Sequence, residues 1–115
     1  MIEIEIRPAY GANPGRLTAK GHAGPAPDLV CCAATALIGG LQSNLERCFG
    51  VCVKTESREG YGKILWGRKR KATLGALDRA NTCAGYAYNA LKDLEKAHPK
   101  ELRVRWKPAA PEGGD

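Results

Sequence analysis

The sequence predicts an α+β fold in the order ββαββαβ, a mostly antiparallel sheet with two packed helices. Three observations carry that expectation. Apolar and polar residues alternate in IEIEIR at 2–7 and LRVRW at 102–106, the period of two that marks a half-buried strand. Two longer stretches, about 28–47 and 77–97, repeat apolar residues at three- and four-residue spacing, as an amphipathic helix does. Turn residues punctuate the strand-like segments, and runs of hairpin strands interrupted by helices argue an α+β domain.

Ile2, Ile4 and Ile6 alternate with Glu3, Glu5 and Arg7 in a first strand ending at Pro8. The turn-rich GANPG segment at 11–15 follows. Leu17, Ala19 and Gly21 then alternate with Thr18, Lys20 and His22, so a second strand pairs as a hairpin. His22 falls at its end, on the face opposite Leu17. From Asp28 the period changes: Val30, Ala33, Ala34, Leu37, Ile38, Leu41 and Leu45 lie on one helical stripe. Gly39 and Gly40 weaken that helix by ~1 kcal/mol each relative to alanine. Val51, Val53 and Thr55 begin a third strand, and Ile64 and Trp66 lie in a fourth after the Glu59-Gly60 turn. Leu77, Ala80, Ala84, Tyr88, Leu91 and Leu94 form the stripe of a second helix, stopped before Pro99. Leu102, Val104 and Trp106 make the last strand. No fixed-period repeat is present, and GYGKILWG at 60–67 lacks the spacing of a phosphate-binding loop. Residues 1–107 read as one domain and 108–115 as a flexible tail.

Composition narrows the function classes. The 115 residues suffice for one aliphatic core, with aromatics only 6% of the chain. No apolar run approaches the ~20 residues of a membrane span, and MIEIEIRP is unlike a signal peptide. The expectation is a cytoplasmic protein with no membrane partner. Five cysteines, an odd number, argue against a disulfide framework. Cys48 and Cys52, with Cys83 and His98, have no second close pair of ligands beside them, so no metal or other cofactor is expected. Most of the five thiols are expected to act as small buried hydrophobes. The net charge of +6 points to an anionic partner. Its densest run, Arg68, Lys69, Arg70 and Lys71, reads as a solvated loop or as a weak RNA or ribosome contact.

One stretch concentrates chemistry: GHAGPAPDLVCCAATAL, residues 21–37. Asp28 follows Pro27 and precedes the first apolar helical residue, as an N-cap should. Cys31 then stands at about the third helical position, where unpaired N–H groups and the helix dipole favour an anion such as a thiolate. At about 100° per residue, Cys31 lies roughly 80° from the centre of the apolar stripe near Leu41, at the margin of the buried face. Cys32 lies about 180° away. A nucleophile wants the margin, supported by packing yet open to substrate. Thr35 is one turn beyond Cys31 on the same flank, where its hydroxyl can hydrogen-bond.

Gly21-His22-Ala23, then Asp28-Leu29-Val30-Cys31, then Ala33, Thr35, Ala36 and Leu37 resemble the bacterial ribosomal-processing cysteine protease family. That family's pattern is GHA, a loop, then D-[IV]-V-C-A-A-x-S-A-L. The resemblance implies a homodimeric endopeptidase that removes the N-terminal extension of the twenty-seventh protein of the large ribosomal subunit during ribosome assembly. It implies His22 and Cys31 as the catalytic pair, His22 being the general base and Cys31 the nucleophile, with Asp28 and Thr35 in support. It also implies that the loop Gly24, Pro25, Ala26 and Pro27 moves over bound peptide. Three departures stand out. The loop is about three residues shorter than usual and stiffened by proline, Cys32 replaces an alanine, and Thr35 replaces a serine. The competing reading is a basic ribosome- or RNA-associated binding module without peptidase activity, using Arg68 to Lys71.

Overall fold

The computed structural model describes residues 1–21 and 29–109. The chain runs through β1 (Ile2–Arg7), β2 (Gly15–Lys20), α1 (Leu29–Arg47), β3 (Val51–Arg58), β4 (Tyr61–Arg68), α2 (Gly75–Ala97) and β5 (Leu102–Trp106). This is the expected ββαββαβ order. The second helix begins two residues before Leu77, because Gly75 and Ala76 continue its backbone past the first apolar residue of the stripe. Residues 110–115, most of the expected tail, lie outside the described residues.

The five strands form one sheet in the order β3-β4-β2-β1-β5. Three neighbouring pairs are antiparallel, and β1 and β5 are parallel. The β1–β2 turn is closed by Tyr10 and Asn13, whose backbones exchange hydrogen bonds of 3.0 and 2.9 Å. The β3–β4 turn is tighter, with Gly60 at φ +73°.

Alternation divides the sheet into two chemically different faces. The inner face carries Ile2, Ile4, Ile6, Leu17, Val53, Ile64, Trp66, Leu102 and Val104, and both helices cover it. Val30, Ala34, Leu41 and Leu45 from α1, and Ala76, Leu77, Ala80, Ala84 and Leu91 from α2, complete this core. Gly15 is paired directly opposite Trp66, and a Cβ there would stand only 2.1 Å from the indole ring. The indole therefore needs a glycine across the ladder. Its Nε1–H donates to Asn81 Oδ1 at 3.1 Å, and the same oxygen accepts the Ala9 N–H at 2.8 Å. Asn81 Nδ2 donates back to Ala9 O at 2.9 Å. One side chain of α2 thus binds β4 and the exit of β1.

The outer face is charged. Reading across the strands from β5 to β3, one ladder carries Lys107, Arg7, Arg16, Leu65 and Lys54. The next carries Arg105, Glu5, Thr18, Lys63 and Glu56, and the third Arg103, Glu3, Lys20, Tyr61 and Arg58. None of these residues is fully buried.

β5 is an edge strand, and an exposed edge invites pairing with other chains. Glu95 and Lys92 of α2 occupy it. Glu95 accepts the Val104 N–H at 2.7 Å, while Lys92 donates to Val104 O at 3.3 Å and to Glu95 at 2.6 Å. Burial alone would raise the Glu95 carboxyl. The bonds from Lys92 and the Val104 N–H, with the charges of Lys92 and Arg103, outweigh it and hold the carboxyl below the usual carboxylate range.

Candidate active site

The inner face is not apolar along its whole length. β3 continues inward from Val51 and Val53 to Thr55 and Ser57, and β4 places Gly62 opposite both Ala19 and Ser57. These small and polar positions lie where the helices no longer cover the sheet. Thr55 and Ser57 are exposed although they have the parity of core residues. The core ends there and a groove of about 550 Å³ begins. Its floor is Ala19, Thr55, Ser57 and Gly62, and its wall is α1.

Cys31 stands on that wall. It is the third residue of α1, half-buried, packed on one side against the core and facing the groove on the other. Cys32 is exposed and does not line the groove. This is the separation that helical spacing expects for two adjacent residues about 100° apart. Thr35 and Ile38 continue the wall along the same flank, with Gly39 and Gln42 behind them. Thr35 is exposed and lines the groove.

The groove mouth explains one glycine of the GHA motif. Gly21 lines the groove and adopts φ +94°, and a Cβ there would meet Met1 O at 2.3 Å. Its N–H donates to Gly60 O at 2.9 Å, which fixes the end of β2 beside the β3–β4 turn. Only glycine combines that dihedral with that close approach. His22, Asp28 and the loop Gly24, Pro25, Ala26 and Pro27 lie outside the described residues. Of the expected site, the structure therefore places Cys31 and Thr35 in one groove.

Charge gathers at the rim. Glu56 accepts from Arg58 at 2.6 Å and lies 3.4 Å from Lys63. The Arg58 guanidinium also sits 4.1 Å above the centre of the Tyr61 ring, a cation–π contact that steadies the turn. A second, more open cleft of about 500 Å³ is lined by Lys92, Asp93, Glu95, Lys96, Pro99, Leu102 and Arg103. Its lining holds no Cys, Ser or Thr, and its Lys92 and Glu95 serve the β5 edge.

The remaining thiols differ from expectation. None of the five cysteines is fully buried: Cys31, Cys48 and Cys83 are half-buried, and Cys32 and Cys52 are exposed. The sheet parity separates the C-x3-C pair, because Cys52 points to the outer face while Cys48 packs against the core. Cys48 instead meets Cys83. Burial raises the Cys83 thiol above its ordinary value, and the charge and hydrogen bond of Cys48 add to that. Among the described residues no group of three or more His, Cys, Asp or Glu is placed to hold a metal ion, and no helix is long and apolar enough to cross a membrane.

No protein-family model matches the sequence, and no curated protein sequence matches it either. Solved structures share its fold. The ribosomal processing protease Prp from S. aureus, in complex with a covalently linked product peptide, superposes with a TM-score of 0.71 at 18% identity, over 93% of this chain and 100% of that one. The same protease with a substrate peptide gives 0.70 at 18% identity, with the same coverage. SMU.848 from Streptococcus mutans gives 0.68 at 19% identity, over 94% of this chain and 95% of the other. At these identities the likeness is one of overall fold, and it extends over nearly the whole chain.

Proposed function

We propose that this chain is a cysteine endopeptidase that removes the N-terminal extension of a large-subunit ribosomal protein, the twenty-seventh, in the cytoplasm. The observation that carries the reading is a thiol in the first turn of α1, on the wall of a groove kept open by polar inner-face residues. The shared fold of a ribosomal processing protease captured with product and substrate peptides supports it.

His22 is the general base. It follows Gly21 in the chain, and Gly21 lines the same groove as Cys31. The imidazole takes the proton from Cys31 Sγ, and the thiolate attacks the scissile carbonyl carbon to form a C–S bond. Backbone N–H groups at the start of α1, beside Cys31, stabilise the resulting oxyanion. As the C–N bond breaks, His22 passes its proton to the leaving amine, and a thioester remains. His22 next deprotonates a water that attacks the thioester, and Cys31 leaves as thiolate and is reprotonated. Asp28 caps the helix that presents Cys31. Thr35 offers a hydroxyl to the bound peptide one turn along the wall. Gly24, Pro25, Ala26 and Pro27 form the loop over the substrate. The enzyme acts as a homodimer, and the exposed Arg68, Lys69, Arg70 and Lys71 give a weak contact to ribosomal RNA.

Mixing the protein with the extended ribosomal protein and reading masses tests the reading. Loss of the extension is expected, with Cys31→Ala and His22→Ala each abolishing it and Cys32→Ala retaining most of it. A dead Cys32→Ala variant, or an active Cys31→Ala variant, would refute the assignment.

A further inference from the structure

We infer that the helix-free face of the sheet is a docking surface for double-stranded RNA, read through its phosphates and 2′-hydroxyls. This inference does not depend on the peptidase reading. The outer ladders hold nine Lys and Arg against three Glu, a surplus of six that equals the formal charge of the whole chain. The rest of the protein is therefore balanced, and the surplus sits on these ladders, of which Lys20, Glu56, Arg58 and Lys63 also border the groove.

Neutralisation within the face is partial. Glu56 serves Arg58 and Lys63, and Glu5 lies 3.8 Å from Lys107. Arg16, Lys54 and Arg105 make no ion pair among the described residues. Arg7 and Arg16 are direct cross-strand partners, which sets two guanidinium groups side by side on one ladder of the face.

Shape selects the polyanion. Five strands at about 4.8 Å spacing make a face roughly 19 Å across, too broad to enter a B-DNA major groove about 12 Å wide. Among the described residues both helices lie on the opposite face, so none projects from this one to do so. Single-stranded nucleic acid is held by stacking on exposed aromatic rings. Here the one ring on the face among the described residues, Tyr61, is capped by Arg58. A-form RNA presents a wide, shallow minor groove bordered by phosphates, which suits a broad cationic surface.

The test is fluorescence anisotropy of the full chain with a labelled RNA duplex across a KCl series. Engagement of about five phosphates gives a log–log salt slope near −4.5. Lys54→Gln, Arg105→Gln and Lys107→Gln together, all exposed positions outside the groove, are expected to reduce that slope by two to three and weaken binding at least about tenfold at moderate salt. Lys69→Gln, Arg70→Gln and Lys71→Gln remove the same charge from the β4–α2 connection and are expected to cost less. Circular dichroism confirms that each variant is folded, and peptide cleavage serves as a separate readout that the face variant leaves unchanged. The inference is overturned if the face variant binds like the parent, or if the connection variant is the weaker binder. It is equally overturned if duplex DNA of the same sequence, or single-stranded RNA, binds as tightly as the RNA duplex.

Discussion

Replacing Asn81 by alanine tests how the sheet is fastened to its helices. The side chain makes three hydrogen bonds, at 2.8 and 2.9 Å to the Ala9 backbone and 3.1 Å to the Trp66 indole. Ala9 is 5% exposed and Trp66 only 1%, so water has little access to the groups left behind. Each lost bond is worth about 1 kcal/mol net, and a buried donor or acceptor left unpaired costs about 1–3 kcal/mol. The expected loss is about 3–5 kcal/mol. Set against a total stability of about 5–15 kcal/mol, it moves the thermal midpoint down by on the order of 10–20 °C. Urea unfolding followed by tryptophan fluorescence gives the free energy directly. Asn81→Asp separates the parts of the clamp. It keeps the acceptor for Ala9 N–H and Trp66 but sets a carboxylate oxygen against Ala9 O. Acidification that protonates it restores a donor, so this variant should recover relative to the parent as pH falls. A loss below about 1 kcal/mol for Asn81→Ala would refute the reasoning, because it would mean that water or relaxation replaces all three bonds.

Gly39 and Gly40 are adjacent in α1, and a Cβ at either meets nothing within 4 Å. Alanine at each should therefore add about 1 kcal/mol of helix stability. Only Gly39 lines the groove, so only Gly39→Ala should raise KM for peptide cleavage, a difference steady-state kinetics reads directly. The β5 edge clasp gives a pH signature. Because the Glu95 carboxyl is held low in the folded protein, its contribution is present above the ordinary carboxylate pKa. That contribution is lost as pH falls through the lower folded value. Urea titrations between pH 6 and pH 3, about the window where carboxylates titrate, should show Glu95→Gln starting less stable than the parent and losing less on acidification. Parallel curves for the two proteins would exclude the clasp as an acid-sensitive element.

The parts of the fold visible in the sequence are those governed by local period. Ile2, Ile4 and Ile6 alternate because one face of β1 meets the helices, and the helical stripes follow from the same burial at a period of 3.6. Sheet order is a different matter. β5 lies parallel to β1 across a sequence separation of about a hundred residues, and nothing in LRVRW distinguishes that partner from another strand. The separation of Cys31 from Cys32 was legible because it depends only on angle along one helix. The groove floor carries a subtler signal in the sequence. The inward positions of β3 run Val51, Val53, Thr55, Ser57, and the change from branched apolar to hydroxyl residues marks where helix cover stops. Asn81 gave a comparable sign, as a polar residue beside the stripe of Leu77, Ala80 and Ala84. A lone Asn in such a place reads as surface until its partners, Ala9 and Trp66, are brought beside it by tertiary packing.

The same parity rule that builds the core assigns the molecule's chemistry to opposite sides of one sheet. Inward residues give hydrophobic packing from Gly15 to Leu17 and an open groove beyond Ala19. Outward residues at 16, 18 and 20 are Arg, Thr and Lys, half-exposed or exposed on the charged face. A shift of one residue in the pairing of β2 would exchange these sets, placing Arg16 against the helices and Leu17 among the cations. Gly15 opposes that slip, because the indole of Trp66 leaves no room for the side chain of either neighbour. The glycine that lets Trp66 pack therefore also keeps the groove floor of Ala19 on the inner face of the sheet and Arg16 on the outer ladders.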